Sequence, residues 1–148
     1  MIEFIETDIR SAIDLIEHTF NSHWEEVQEV APLNPVYDVY YDLEDQNMLY
    51  SLLAMDGNEL LGYVIFIIAK HHHHSGSIWA SSDILYISPT HRGKGVCKEI
   101  LSKAEESLRE KGVEIILVSS RAHKDFGSLL GKIGYNPYEY SYFKDIGD

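Results

Sequence analysis

The segment from residue 84 to residue 97 constrains the fold more than any other part of the chain. Ile84, Leu85, Tyr86 and Ile87 are the apolar end of a strand, and Ser88 to Gly95 make a turn containing Pro89, Gly93 and Gly95. Val96 and Cys97 then open a stretch with helical periodicity. A strand that stops at a glycine-rich turn and restarts at once as a helix turns the helix start toward the turn. Helix starts carry N–H groups without intrahelical acceptors and the positive end of the dipole. Gly93 and Gly95 keep side chains out of the approach to those groups, and Arg92 and Lys94 add cationic charge at the rim. Such a turn can cradle a di- or triphosphate. The competing reading is a tight reversal that needs glycine only for its backbone angles, because G-x-G alone is a weak signal. Two common phosphate patterns are excluded by spacing. There is no G-x-x-x-x-G-K-[ST] run, and Lys98 stands where the third glycine of G-x-G-x-x-G belongs.

Periodicity places the remaining elements around this segment. Residues 2–5 alternate weakly and read as a first strand. Thr7 reads as a helix N-cap with Asp8 in the first turn, and Ile9, Ile13, Ile16 and Phe20 trace the apolar stripe of one amphipathic helix. Pro32 and Pro35 interrupt the chain before Tyr37, Tyr40 and Tyr41, which fit a short second helix. Residues 48–55 and 60–69 are strands joined by the hairpin turn Asp56-Gly57-Asn58-Glu59, and residues 77–87 form a third antiparallel strand. Val96, Ile100, Leu101, Ala104 and Leu108 are the buried stripe of a helix that stops at Gly112. Residues 113–118 hold five apolar residues in six, the pattern of a strand covered on both faces. A short helix over 125–133 and a final strand over 138–144 complete the order β-α-α-β-β-β-α-β-α-β. This is a mixed α/β sheet, not a doubly wound one.

Composition narrows the function classes. A chain of 148 residues is expected to form one domain, residues 1–148. The apolar run 60–69 contains Gly62 and is half the length that a bilayer span needs. The start Met1-Ile2-Glu3-Phe4 lacks a signal-peptide pattern, and Cys97 is the one cysteine, so the expectation is a reduced, cytoplasmic chain. Residues 1–60 hold fourteen acids against Arg10 alone, whereas residues 61–148 are nearly neutral. That acidic half repels phosphate backbones and argues against nucleic acid. It reads as a solubilising surface or as one that attracts a cationic partner. The near-neutral half is the better home for an anionic cofactor.

Residues 86–96, Tyr-Ile-Ser-Pro-Thr-His-Arg-Gly-Lys-Gly-Val, resemble the acetyl-CoA-binding motif R/Q-x-x-G-x-G/A of the GNAT N-acetyltransferases. The element order is similar to that family's fold over essentially the whole chain. Lys132-Ile133-Gly134-Tyr135, followed by an aromatic segment, resembles its C-terminal part, and the likeness is greatest to small bacteriophage-encoded members. Cys97 stands where the family usually has glycine or alanine. The resemblance implies acetyl transfer from the cosubstrate acetyl-CoA to an amine acceptor, a small molecule or a protein lysine or N-terminus. It implies a pyrophosphate on the amides of Arg92, Gly93, Lys94, Gly95, Val96 and Cys97, and a pantetheine paired with backbone at Leu85 and Ile87. No membrane or nucleic-acid partner is expected, and a homodimer is left open.

Amine acetylation needs a group to take the amine's proton and a proton for the departing thiolate. Asp83 is the candidate base: it lies inside an apolar strand, four residues before Ile87, where many family members carry an acid facing the acceptor. Half-burial of its carboxylate would raise its pKa; the competing reading is a strand-end Asp bonded to a nearby N–H. The family often places a tyrosine four residues before the Gly-Tyr pair, and here that position is Leu130. Tyr138 is the candidate acid in its place, with Tyr135, Tyr142, His123 or solvent as alternatives. His71, His72, His73 and His74 alternate in direction, which disfavours a metal site; they read as an exposed hairpin tip or as a source of one proton relay. His123 with Asp125 reads as a helix-start pair. His23, Trp24, Tyr37, Tyr40 and Tyr41 either pack on the sheet or line the acceptor cleft, where they would hold a cationic amine. The rival function is a GNAT-fold binding protein without turnover, and a His-dependent metal protein is a third, weaker reading.

Overall fold

The computed structural model describes residues 1–27, 35–122 and 124–147. Five strands, β1 (Ile2–Thr7), β2 (Leu49–Asp56), β3 (Glu59–Lys70), β4 (Ile78–Ile87) and β5 (Val113–Leu117), lie side by side in chain order. Every neighbouring pair is antiparallel except β4 and β5, which are parallel. Helices α1 (Ile9–Ile16), α2 (Phe20–Val27) and α3 (Tyr37–Asp45) link β1 to β2. Helix α4 (Val96–Glu110) makes the crossover from β4 to β5, and α5 (Gly127–Lys132) follows β5. The expected mixed α/β class is what the chain adopts.

Alternation along the strands sorts the apolar residues into two cores. On one face Leu52, Ala54, Val64, Phe66 and Ile87 pack with Val96, Ile100, Leu101, Ala104 and Leu108 of α4 and Leu130 of α5. On the other face Leu53, Met55, Tyr63, Ile65 and Tyr86 pack with Ile9, Ala12, Ile13, Ile16 and Phe20. The sheet is thus covered on both sides, and β4 contributes to both cores. Gly62 sets how closely β3 approaches the end of β4. A Cβ there would stand 2.6 Å from the carbonyl oxygen of Tyr86 and 2.7 Å from Cδ1 of Ile87.

Four sequence expectations are corrected. The helix cap is Asp8 rather than Thr7: Asp8 is extended and its carboxylate accepts from the Ser11 N–H at 2.7 Å, while Thr7 stays in β1 opposite Ser51. The single amphipathic helix is broken by a 3-10 turn over Glu17–Thr19, where the Thr19 hydroxyl donates to the Ile16 carbonyl at 2.6 Å. Its stripe is nevertheless buried as read. Strand β5 is not covered on both faces: Glu114 is exposed at the register shift between Ile78–Val113 and Trp79–Ile115 and Ile115 is 41% exposed, while Val113 and Ile116 pack against the α4 core. Among the described residues no strand follows α5. Tyr138, Tyr140 and Tyr142 alternate as a strand would, but no described strand pairs with them, and all three are exposed, so no sheet draws the segment into a ladder. Pro32 and His123 lie outside the described residues.

Candidate active site

The chemistry-bearing residues gather where β4 departs from regular pairing. Ile65 of β3 pairs with Ile84 and Phe66 pairs with Ser82, so Asp83 is the extra residue of a β-bulge. Simple alternation would put Asp83 on the α4 side with Leu85 and Ile87. A bulge re-aims side chains, and here the Asp83 carboxylate accepts a hydrogen bond from the Tyr40 hydroxyl of α3 at 2.6 Å. The carboxylate is therefore on the side of the sheet covered by α1–α3. It is also exposed, not half-buried as expected from the apolar strand around it.

Behind it lies an aromatic wall. Tyr63 and Tyr86 rings are 5.5 Å apart, His23 of α2 meets Tyr86 edge-on at 5.4 Å, and the Tyr63 and Thr19 hydroxyls are 2.7 Å apart. Burial, reinforced at Tyr40 by the Asp83 carboxylate, pushes the Tyr40 and Tyr63 hydroxyls well above the ordinary tyrosine range. Both are neutral O–H groups near neutral pH. Burial holds His23 below its ordinary value, which favours the uncharged imidazole. Tyr37, Tyr40 and Tyr41 all pack against this core, as the packing reading held, and the cation over the Tyr41 ring is the chain's own Arg10, at 4.6 Å.

The opposite edge of β4 opens toward the glycine turn. Pairing between β4 and β5 ends at Ser81 and Leu117, and the Ser119 N–H donates to the Ser82 hydroxyl at 3.0 Å. Beyond that point residues 83–87 have β3 as their only strand neighbour among the described residues. A 3-10 turn over Pro89–His91 leads to Gly93 and Gly95, whose φ angles are +75° and +84°, and Gly95 caps α4. A Cβ on Gly93 would meet nothing within 4 Å, and one on Gly95 only Oε1 of Glu99 at 4.0 Å. Glycine is thus required here by backbone conformation, and the space over the turn is clear. The first intrahelical bond runs from the Glu99 N–H to the Gly95 carbonyl at 3.0 Å, and the Arg92 N–H closes the 3-10 turn on the Pro89 carbonyl at 3.5 Å, so the amides left without a backbone acceptor among the described residues are those of residues 93–98. An open strand edge leading to free amides fits an extended thioester cosubstrate with a pyrophosphate at one end.

Arg92 is oriented differently from the expectation of a rim charge. Its guanidinium makes a two-pronged ion pair with Glu26 of α2, one contact at 2.7 Å, and its Nε–H donates to the Ile87 carbonyl at 2.9 Å. Lys124 also reaches Glu26, at 3.4 Å. The Arg92 and Lys124 cations hold the Glu26 carboxyl below the usual carboxylate range. Lys94 is exposed. Cys97 packs against the α4 core, and burial pushes its thiol up.

None of the described acid candidates is brought to Asp83. Tyr138 is 65% exposed and meets the Trp79 ring at 6.1 Å, near the start of β4 and about 13 Å along the strand from Asp83. The Tyr135 hydroxyl donates to Glu105 at 2.8 Å, Tyr142 is exposed, and Leu130 is buried in the α4 core. The histidine run caps the β3–β4 hairpin: His72, His73 and His74 are exposed, and the His71 ring lies tilted 4.3 Å from that of Trp79. Among the described residues no three His, Cys, Asp or Glu side chains are grouped to hold a metal ion. Sequence reading missed the role of Tyr40 as the Asp83 neighbour and did not single out Glu26. Neither has a local signal, since each meets its counterpart only after folding.

Residues 14–131 match the family model described as the acetyltransferase (GNAT) family. The chain belongs to the GNAT acetyltransferases, whose cosubstrate is acetyl-CoA. No curated protein matches the sequence. Solved structures share the fold. A predicted acetyltransferase from Clostridium acetobutylicum, solved with acetyl-CoA, is 12% identical with a TM-score of 0.77, over 99% of this chain and 97% of that one. An aminoglycoside acetyltransferase from an uncultured soil metagenomic sample is 14% identical with a TM-score of 0.79, with the same coverage of 99% and 97%. A ribosomal-protein-alanine N-acetyltransferase from Brucella melitensis is 20% identical with a TM-score of 0.74, over 99% and 100%.

Proposed function

We propose that the chain is a single-domain, cytoplasmic N-acetyltransferase that moves acetyl from acetyl-CoA to a primary amine by direct attack. The carrying observation is that β4 serves two sides at once, with a bulged carboxylate toward α3 and an unpaired edge toward the glycine turn. Bound acetyl-CoA supplies an activated acetyl thioester. Backbone at Leu85 and Ile87 aligns its pantetheine, although the Ile87 carbonyl already accepts from Arg92, so its N–H is the free group. The amides from Arg92 to Cys97 receive the pyrophosphate.

Asp83 accepts the proton that the amine releases as the new N–C bond forms, and Tyr40 keeps one carboxylate oxygen oriented while the other faces the acceptor. The C–S bond breaks, and the thiolate takes a proton from solvent; Tyr138 is too far along β4 in this conformation to deliver one. The acidic surface of residues 1–60 favours a cationic acceptor, a small molecule or a protein lysine or N-terminus. The narrower likeness to bacteriophage-encoded members belongs to the same reading.

Calorimetric titration with acetyl-CoA, alongside ATP as a control anion, tests the site. Saturable micromolar binding of acetyl-CoA alone, about −8 kcal/mol, followed by amine-dependent thiol release, is the expected result. The second reading, a GNAT-fold binding protein without turnover, is favoured by Leu130, which is buried where the family often carries a tyrosine. Binding of acetyl-CoA with no thiol release across amine classes would establish it instead.

A further inference from the structure

Past the 3-10 turn over Pro89–His91, which the His91 N–H closes on the Ser88 carbonyl at 2.8 Å, the glycine turn is held by no side-chain hydrogen bond other than those of Arg92 among the described residues. Gly93 and Gly95 carry no side chain, and the space beside each is empty or nearly so. The restraint therefore comes from the ends of the turn, and at one end it comes from outside the segment. Glu26, 66 residues earlier on α2, grips the Arg92 guanidinium with both oxygens. Arg92 passes that restraint on through Nε–H to the Ile87 carbonyl at 2.9 Å, the last residue of β4. His23, one turn before Glu26 on α2, braces the same region from the side through the Tyr86 ring.

The pair differs from an ordinary surface ion pair in two respects. Its carboxylate is only 19% exposed, and it receives three N–H donors, two from Arg92 and one from Lys124. Two-pronged Arg–carboxylate pairs fix direction as well as distance. Arg92 engaged in this way is not available as a phosphate cation, so what Glu26 contributes is geometry.

We propose that Glu26 is a positioning residue for the cofactor turn, acting through Arg92 to hold the end of β4 and the glycine turn in the arrangement that receives the acetyl-CoA pyrophosphate. The inference rests on the acetyl-CoA reading above. It predicts that the α2 segment, which lies on the acceptor side of the sheet, sets affinity on the cofactor side.

Two variants test it. Glu26→Gln keeps the shape and loses the charge, and Arg92→Lys keeps the charge and loses the two-pronged, Nε-linked geometry. Each is titrated with acetyl-CoA, and each is digested with trypsin without ligand, following cleavage after Lys94 by mass spectrometry. Both variants are expected to bind acetyl-CoA about tenfold more weakly and to be cut several-fold faster at Lys94, with an unchanged circular dichroism spectrum. Unchanged or tighter binding by Glu26→Gln would overturn the proposal, because Arg92 would then be a phosphate ligand that Glu26 restrains. Weaker binding with no change in cleavage would overturn it as well, since charge rather than position would be at work. Should either variant fail to fold, Glu26→Asp, which retains the charge on a shorter arm, is read by the same two measurements. A wild-type protein that does not bind acetyl-CoA would sink the proposed function, while the cleavage arm would still report on the clamp.

Discussion

The hydroxyl of Tyr40 on α3 donates to Oδ2 of Asp83 on β4 at 2.6 Å, joining two elements 43 positions apart in sequence. The contact exists because the bulge at Asp83 turns its carboxylate away from the α4 core and toward α3. It separates the proposed proton acceptor from the cofactor edge of the same strand, so the two can be perturbed independently. Asp83→Asn is expected to lower turnover by about 10²- to 10⁴-fold, the usual scale of a lost general base. Acetyl-CoA affinity should stay within about twofold of wild type, because Asp83 touches no part of the turn. Tyr40→Phe should cost only several-fold. Thiol-release kinetics beside calorimetry reads both quantities, and a fully active Asp83→Asn would remove Asp83 from the mechanism.

Gly95 has a φ of +84° at the cap of α4, with clear space beside it. Gly95→Ala should lose about 1–2 kcal/mol of stability through the left-handed backbone conformation yet retain measurable acetyl-CoA binding. Gly95→Glu carries the same strain and adds an anion at the proposed pyrophosphate site, so binding should disappear. Equal affinities for the two variants would mean that the turn does not meet the cofactor's phosphates.

Gly62 is constrained by contact rather than by φ. A methyl group there would press on the Tyr86 carbonyl oxygen at 2.6 Å, a backbone atom that cannot step aside. Gly62→Ala should destabilise by about 1–3 kcal/mol, which for a domain of this size lowers the melting temperature by about 2–4 °C per kcal/mol. Because the displaced atoms belong to residues 86 and 87, acetyl-CoA affinity should fall with it. Thermal melts and calorimetry on the one variant check both.

Stability should fall on the alkaline side. Burial raises the hydroxyls of Tyr37, Tyr40, Tyr50, Tyr63 and Tyr135, five of the ten tyrosines, above their ordinary value. An acid that the folded state holds protonated contributes stability that is fully present below the unfolded pKa of about 10 and is lost as pH rises above it. Absorbance titration should therefore show these five phenols ionising only above the ordinary tyrosine range or on unfolding. His23 has the opposite sign: its lowered pKa contributes stability present above about pH 6.5 and lost as pH falls below it. Melting temperatures at pH 8 and pH 11 should differ, and those at pH 7.5 and pH 5.5 should differ less once His23 is replaced by Phe.

Local chemistry made much of the fold legible. The stripe Ile9, Ile13, Ile16 and Phe20, the hairpin at Gly57 and the α4 stripe from Val96 to Leu108 are all buried or turned as their spacing requires. Such patterns are readable because helix and strand periods are properties of the chain itself. The same is true of the glycine turn, whose backbone demands a residue without Cβ. Where local reading erred, two local signals competed or a pattern lacked its complement. Thr7 and Asp8 are both good caps, and only the pairing of Thr7 with Ser51 in β1 decided between them. The 138–144 alternation is a strand pattern with no described strand beside it.

The candidate site divides along the same line. By itself the sequence determined the strand order from β1 to β5, the strand–turn–helix that presents free amides, and the identity of Asp83 as the acid within an apolar strand. Tertiary structure alone decided which way Asp83 faces, that Tyr40 meets it, that Arg92 is held by Glu26 rather than left at the rim, and that Tyr138 lies near Trp79. Backbone conformation and periodicity are set by neighbours within a few residues, whereas side-chain direction at a bulge and ion pairs across 66 residues depend on how separate elements pack.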